Sequence, residues 1–206
     1  MEKMMKYDLE KIVKKVQACE GDSDAHILTM LAIGLSLKSK NILEIGVREG
    51  VTTAPLLMLA DLTNGFVNSV DISETSFVPC KEHAKRWKFN KSCSIDYLKN
   101  YVNENGTSNK FDLVYLDGWH SYEHVKAELE YLDMLVSPSS IILVHDLMYA
   151  NSQPHYHSDL TMDSGQWAHG GPYRAVAELN KQFWEFSTIP ANNGLTILRK
   201  KYTSKY

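Results

Sequence analysis

The chain has 206 residues, 44% of them hydrophobic and 23% charged, with a formal net charge of -3. That length suits one sizeable core and makes two full domains cramped, so residues 1–206 are expected to form a single domain. The balance lacks the basic excess of a nucleic-acid binder, and no run of about 18 apolar residues is present to span a membrane. Cys19, Cys80 and Cys93 are odd in number and share no C-x-x-C spacing, which argues against a disulfide framework or a cysteine zinc site. A reducing, cytoplasmic setting is therefore expected.

The N-terminal stretch is charged and amphipathic, unlike a signal peptide. Residues 6–18 carry Leu9, Ile12, Val13 and Val16 at helical spacing and predict a peripheral helix, whose apolar stripe would also suit a partner chain in a homo-oligomer. After a break at Cys19–Asp24, residues 25–37 predict a largely buried helix, completing an N-terminal helical segment over 1–38. Asn41–Ile45 reads as a buried strand ending in a glycine turn, followed by a helix from Thr52 to about Leu62. Phe66–Ile72 is a second strand. Thr75–Trp87 is expected as a helix started late or interrupted by Pro79. Lys88–Ile95 is a weak third strand and Asp96–Glu104 a helix.

Phe111–Leu116 is a strong fourth strand. Tyr122–Leu135 forms a helix with Val125, Leu129 and Leu132 on one face. Ile141–Val144 is a fifth strand. Residues 148–171 are too long for an ordinary connection and carry His155, Tyr156, His157, Trp167 and His169, so they are expected to form a lid or substrate loop, its aromatic rings suited to a sugar or another ring. Tyr173–Phe183 predicts a helix. Phe186–Pro190 and Leu195–Arg199 predict a hairpin closed by Ala191-Asn192-Asn193-Gly194. Alternating strands and helices imply an α/β, doubly wound, mostly parallel seven-stranded sheet with a C-terminal antiparallel hairpin. Ligands in such sheets bind beyond the carboxyl ends of the strands.

The first strand runs into Leu43-Glu44-Ile45-Gly46-Val47-Arg48-Glu49-Gly50. Its glycines permit a tight turn and close backbone approach, and the following helix start favours anionic groups. Thr52 and Thr53 can cap that helix or contact a carboxylate. Asp71 ends the second strand, 27 positions after Glu44, where a carboxylate can accept from both hydroxyls of a ribose.

This glutamate-x-glycine-x-x-x-glycine run with an acidic end to strand two resembles the class I S-adenosylmethionine-dependent methyltransferases. The resemblance implies that Glu44, Gly46 and Gly50 hold the methionine end of the cofactor, with Thr52 beside them, and that Asp71 holds the ribose. Ser94 matches a position near the adenine. Many members carry a glycine where this chain has Arg48. An NAD-binding fold is the alternative, although its G-x-G-x-x-G fingerprint would need glycine at Arg48.

A second group lies after strands four and five. Asp117 and Asp146 end adjacent strands, where two carboxylates suit a hard cation such as Mg2+. Such an ion can lower the pKa of a bound hydroxyl, and His120, one turn beyond Asp117, can accept its proton. The run Asp117-Gly118-Trp119-His120-Ser121-Tyr122-Glu123 and the pair His145-Asp146 resemble macrocin- and mycinamicin-type sugar O-methyltransferases and relatives of the cephalosporin hydroxylase component. That resemblance implies Asp117, Asp146 and the residue at His145 as metal ligands, with His120 as base. It places a histidine where the family has an acidic ligand.

Other readings stay open. Asp117 can serve the cofactor alone. His145 can point into the core. His120 and His124, four apart, can form a transition-metal pair. Trp119 can flank adenine or simply pack. The expected activity is methylation of a hydroxyl on a small molecule or sugar acceptor; the rival from another class is a methyltransferase-like fold that transfers no methyl group.

Overall fold

The computed structural model describes residues 9–148 and 170–202. A seven-stranded sheet in the order β3-β2-β1-β4-β5-β7-β6 forms its centre. The strands are β1 (Asn41–Ile45), β2 (Phe66–Asp71), β3 (Trp87–Lys91), β4 (Leu113–Leu116), β5 (Ile141–His145), β6 (Trp184–Ile189) and β7 (Leu195–Lys200). The first five pair in parallel, while β7 runs antiparallel to both β5 and β6. Chain order reverses direction across the sheet between β1 and β4, so the crevice above that pair is the switch point.

The helices are α1 (Leu9–Ala18), α2 (Ile27–Leu37), α3 (Thr53–Thr63), α4 (Lys81–Ala84), α5 (Ser94–Asn105), α6 (Tyr122–Leu135) and α7 (Gly171–Ala177). A single 3-10 turn over Asp24–His26 leads into α2. Strand alternation sorts the core into two layers. Leu43, Val114 and Val144 face α5–α7, where Leu98, Leu129 and Val176 meet them. Ile42, Tyr115 and Leu143 face the other side, against Met30 and Leu31 of α2 and Leu56 and Leu59 of α3. Gly34 lets those last two helices touch: a Cβ there would stand 2.1 Å from Leu59 Cδ2.

Several sequence expectations need correction. The helix expected over Thr75–Trp87 shrinks to the four residues of α4. Pro79 lies before its start, and Trp87 opens β3 opposite Val67, with its Nε1 donating to Ser69 Oγ at 2.8 Å. The third strand ends at Lys91 and the next helix begins at Ser94, so Ser94 opens α5 instead of closing a strand. The last helix starts at Gly171 with Pro172 in its first turn and stops at Ala177, well short of Phe183. The hairpin is displaced towards its ends, with β6 starting at Trp184 and β7 reaching Lys200. The lid expected over residues 148–171 lies, apart from Met148, Gly170 and Gly171, outside the described residues.

Among the described residues, no helix is long and apolar enough to cross a membrane, and Cys19, Cys80 and Cys93 are free thiols.

Candidate active site

Two elongated cavities meet at the carboxyl ends of β1, β2, β4 and β5. One, of about 500 Å³, is bordered by Asp71, Ser94, Trp119 and His124. The other, of about 490 Å³, is bordered by Thr52, His120 and Asp146. Gly46, Arg48, Asp117 and Gly118 border both, so the turns after β1 and β4 form the waist between them.

The β1 turn is built by close backbone contact. Gly46 adopts φ +91°, and a Cβ there would lie 2.0 Å from the Asp117 carbonyl oxygen. Only glycine fits that approach. The Gly46 amide donates to Val70 O at 2.9 Å, and the Asp117 amide donates to Ile45 O at 2.8 Å, which ties three loops together. Asp71 fastens the same turn. Its Oδ2 accepts from the amides of Val47 (2.8 Å) and Arg48 (3.1 Å), and its Oδ1 from that of Ser73 (2.8 Å). A carboxylate has about four acceptor positions, so Asp71 keeps one for a ligand in the cavity it borders. Arg48 itself holds φ +47°, the left-handed region, at the position where the resembling family often has glycine.

Glu44 lies beneath this turn, wholly buried. Its carboxyl accepts from Thr52 Oγ1 (2.7 Å), from Thr53 Oγ1 (2.9 and 3.0 Å) and from Ser69 Oγ (2.6 Å). Burial pushes its pKa up to about 7, against the opposing pull of those three hydroxyls. The carboxylate that Thr52 and Thr53 meet is thus this internal one. Gly50, at φ +78°, packs against Phe77, where a Cβ would come within 2.4 Å of the ring. Neither Glu44 nor Gly50 borders the two cavities. Glu44 is enclosed behind the turn, while Gly50 borders a separate cavity beside Val51 and Phe77.

After β4 and β5 the polar groups crowd. His120 Nε2 lies 3.3 Å from Asp117 Oδ1 and 3.2 Å from Asp146 Oδ2. His145, fully buried at the end of β5, brings Nδ1 to 3.1 Å from Asp146 Oδ1 and 3.4 Å from Asp117 Oδ1. Both readings of His145 therefore meet in one place: the ring is in the core, edge-on to His26 at 5.3 Å, and one nitrogen still reaches the carboxylates. Burial would raise the Asp117 pKa, but His145 and His120 hold it well below the usual carboxylate range. Burial would lower His145, but Asp117 and Asp146 carry it up to about 11. Asp146 reaches this position through a left-handed backbone, φ +67°. Such a conformation in a non-glycine residue is uncommon and clusters at functional sites.

Asp117, His120 and Asp146 offer one ligand atom each, all within 4.8 Å of one another. A second three-residue group joins Asp22, His145 and Asp146. The carboxylate oxygens of Asp117 and Asp146 lie close enough to share one ion, while His120 Nε2 stands at hydrogen-bond range of both, 3.3 and 3.2 Å away. The donor set thus fits a divalent cation, which would compete with the imidazole protons for the same atoms. His120 and His124 do not form a pair. His124 Nε2 turns to Ser94 Oγ (2.8 Å) and to Glu128 Oε1 (3.2 Å).

Sequence reasoning missed several neighbours. Ser23 Oγ donates to Asp117 Oδ2 at 3.2 Å, and Tyr115 OH approaches the same oxygen at 3.4 Å. Asp22 borders the second cavity. Ser69 was readable as a polar side chain inside an apolar strand. Glu128 was readable as the i, i+4 partner of His124. Nothing local in the sequence points the Asp22-Ser23 break at Asp117, 94 positions away.

A family model described as "Methyltransferase domain" matches residues 43–147. No curated protein matches the chain. Solved structures share the fold. An O-methyltransferase from Bacillus cereus, in complex with SAH, superposes with TM-score 0.65 at 18% identity, covering 96% of this chain and 93% of that one. Cofactor-bound Rv0187 from MTB gives 0.64 at 15%, covering 96% and 92%. The TDP-rhamnose 3'-O-methyltransferase CalS11, from calicheamicin biosynthesis, gives 0.62 at 17%, covering 94% and 87%.

Proposed function

The chain belongs to the methyltransferase domain family, and we propose that it transfers the methyl group of S-adenosylmethionine to a hydroxyl oxygen of a small molecule or sugar. One observation carries this reading: the turn after β1 joins two cavities, one bordered by Asp71 and Ser94, the other by His120 and Asp146. The first suits the adenosine half of the donor, with Trp119 along its wall, and the second suits the acceptor. Gly46 and Asp117 border both, where the sulfonium and the oxygen must meet. The Asp117–Glu123 stretch and the CalS11 likeness support an acceptor of the sugar type.

The reaction is an in-line displacement. The acceptor oxygen forms a bond to the methyl carbon as the carbon–sulfur bond breaks, and S-adenosylhomocysteine leaves with the electron pair. Positioning supplies much of the rate. His120 takes the hydroxyl proton on Nε2, and Asp117 and Asp146 steady the imidazolium that results. Asp117 and Asp146, with His145 behind them, would hold a divalent cation, Mg2+ by resemblance; when bound it lowers the hydroxyl pKa.

The test is isothermal titration of S-adenosylhomocysteine, followed by turnover of the His120→Ala variant on sugar and phenol acceptors. Binding of the product is expected, with turnover reduced by about 100-fold or more and cofactor affinity nearly unchanged. Absence of binding would sink the reading. Wild-type turnover in the variant would remove His120 from its role as base.

A further inference from the structure

The wall of the first cavity, away from Asp71, holds a polar cluster that methyl transfer itself does not use. Glu128 is wholly buried in α6, directly under Gly118, where an added Cβ would come 3.9 Å from Glu128 Oε1. Ser94 Oγ donates to Glu128 Oε1 at 2.5 Å. A serine hydroxyl carries one proton. With that proton on Glu128, the 2.8 Å contact between Ser94 Oγ and His124 Nε2 must be donated by the imidazole. His124 Nε2 also stands 3.2 Å from Glu128 Oε1, which as an acceptor favours a proton on the same nitrogen. The hydrogen-bond network therefore sets the tautomer. Nε2 holds the proton, and Nδ1 remains an acceptor on a ring that borders the cavity.

From this geometry we infer that His124, oriented by Ser94 and Glu128, is the specificity-determining residue for the donor's nucleobase, accepting a hydrogen bond on Nδ1 from an exocyclic amino group. The inference rests on the cofactor reading above. Asp71 borders the same cavity as the ribose acceptor, and Trp119, half exposed, supplies an aromatic face beside the base. An acceptor nitrogen accepts from the amino group of adenine. Against the oxo group of hypoxanthine it is opposed lone pair to lone pair, and it is left unpaired. Glu128 acts through Ser94 and His124 and is a positioning residue. Its Oε2 is buried without a hydrogen bond among the described residues, a costly arrangement for a group that only spaced two helices apart.

The experiment is calorimetric titration of the intact protein with S-adenosylhomocysteine and with S-inosylhomocysteine, which carries an oxo group in place of the amino group. The wild type should bind the adenosyl compound about tenfold tighter or more, the effect of one buried hydrogen bond lost and one acceptor left facing another. His124→Ala should bring the two affinities within about threefold by weakening the adenosyl compound. A merely structural role would lower the melting temperature and leave base preference intact. Equal wild-type affinities, or discrimination preserved in His124→Ala, would overturn the inference while leaving the methyltransferase reading in place. Binding of neither compound would overturn both. The wild-type comparison decides by itself should the variant fold poorly.

Discussion

Two carboxylate centres lie at one sheet edge, and their surroundings are opposite. Glu44, at the end of β1, is enclosed by three hydroxyls that each donate to it, and it borders neither cavity. Asp117 and Asp146, after β4 and β5, are crowded by two imidazoles and border the open space. The first centre is satisfied and silent; it shapes a loop. The second is a charged pair whose buried Asp146 Oδ1 and His145 nitrogens make ion-pair contacts but, among the described residues, no well-aligned hydrogen bond. Buried charged groups crowded in this way, with pKa values shifted by their neighbours, mark a candidate functional site. Residue type does not separate the two centres; the partners around each carboxylate do.

The comparison breaks first, and hardest, at Asp146. Asp146→Asn keeps the shape and removes the charge. Turnover at saturating donor should fall by about a thousandfold, roughly 4 kcal/mol of barrier, while affinity for S-adenosylhomocysteine stays within about threefold. Steady-state kinetics with calorimetry on the same sample checks both halves. An unaltered rate would move the chemistry away from this pair.

Gly46 tests the wall between the centres. Gly46→Ala would drive a methyl group to 2.0 Å from the Asp117 carbonyl oxygen at a backbone angle of φ +91°. The loop cannot yield without breaking the Gly46–Val70 and Asp117–Ile45 bonds. A loss of about 3 kcal/mol or more is expected in urea unfolding, with donor affinity falling alongside. A variant of native stability would mean that the waist is softer than its contacts imply.

How much of this was legible in the sequence follows the same division. Strand β1 and helix α6 were readable to the residue, because apolar periodicity and glycine punctuation are local signals. Thr75–Trp87 was misread because the side chain that decides it, Trp87, is drawn into β3 by Val67 and Ser69 on a neighbouring strand. Asp117 and Asp146 were legible as strand-end carboxylates that could converge, and they lie side by side. Glu44 was legible as the acidic residue of the first motif, whereas its enclosure by Thr52, Thr53 and Ser69 was not, because a motif records position along the chain and not depth. Spacing alone left open a pairing of His124 with His120, whereas the ring turns to Glu128, also four residues away. Ambiguity of that kind is inherent in a helix, where i−4 and i+4 are both neighbours.

The silent centre should betray itself through pH. Glu44 has a folded pKa of about 7, above its ordinary 4.5, because burial disfavours the charge. Between those two values the native state keeps a proton that the unfolded chain has released, so stability falls as pH rises through that window and is level above it. The loss amounts to about 3 kcal/mol. Glu44→Gln carries no such proton. Subtracting the variant's stability curve from that of the wild type should leave a descent confined to pH 4.5–7. Parallel curves would show that the three hydroxyls fully offset burial and leave Glu44 with its ordinary carboxyl pKa, making the two centres more alike than their geometry suggests.

The smallest effect is expected at Arg48, which borders both cavities yet owes its backbone shape to neither. A side chain at φ +47° costs about 1–2 kcal/mol relative to the right-handed region, and glycine removes that cost. Glycine in turn loses about 0.5–1 kcal/mol of backbone entropy. Arg48 is largely exposed, and its ion pair among the described residues is with the exposed Glu49 at 3.8 Å, a contact of little consequence. Arg48→Gly should therefore raise the melting temperature by about 2 °C, the equivalent of some 0.5 kcal/mol in a chain of this size. The amide that donates to Asp71 is unchanged by the substitution, so donor affinity should hold. If affinity drops tenfold while the melting temperature rises, the guanidinium itself reaches the donor, and the left-handed backbone is strain retained for binding.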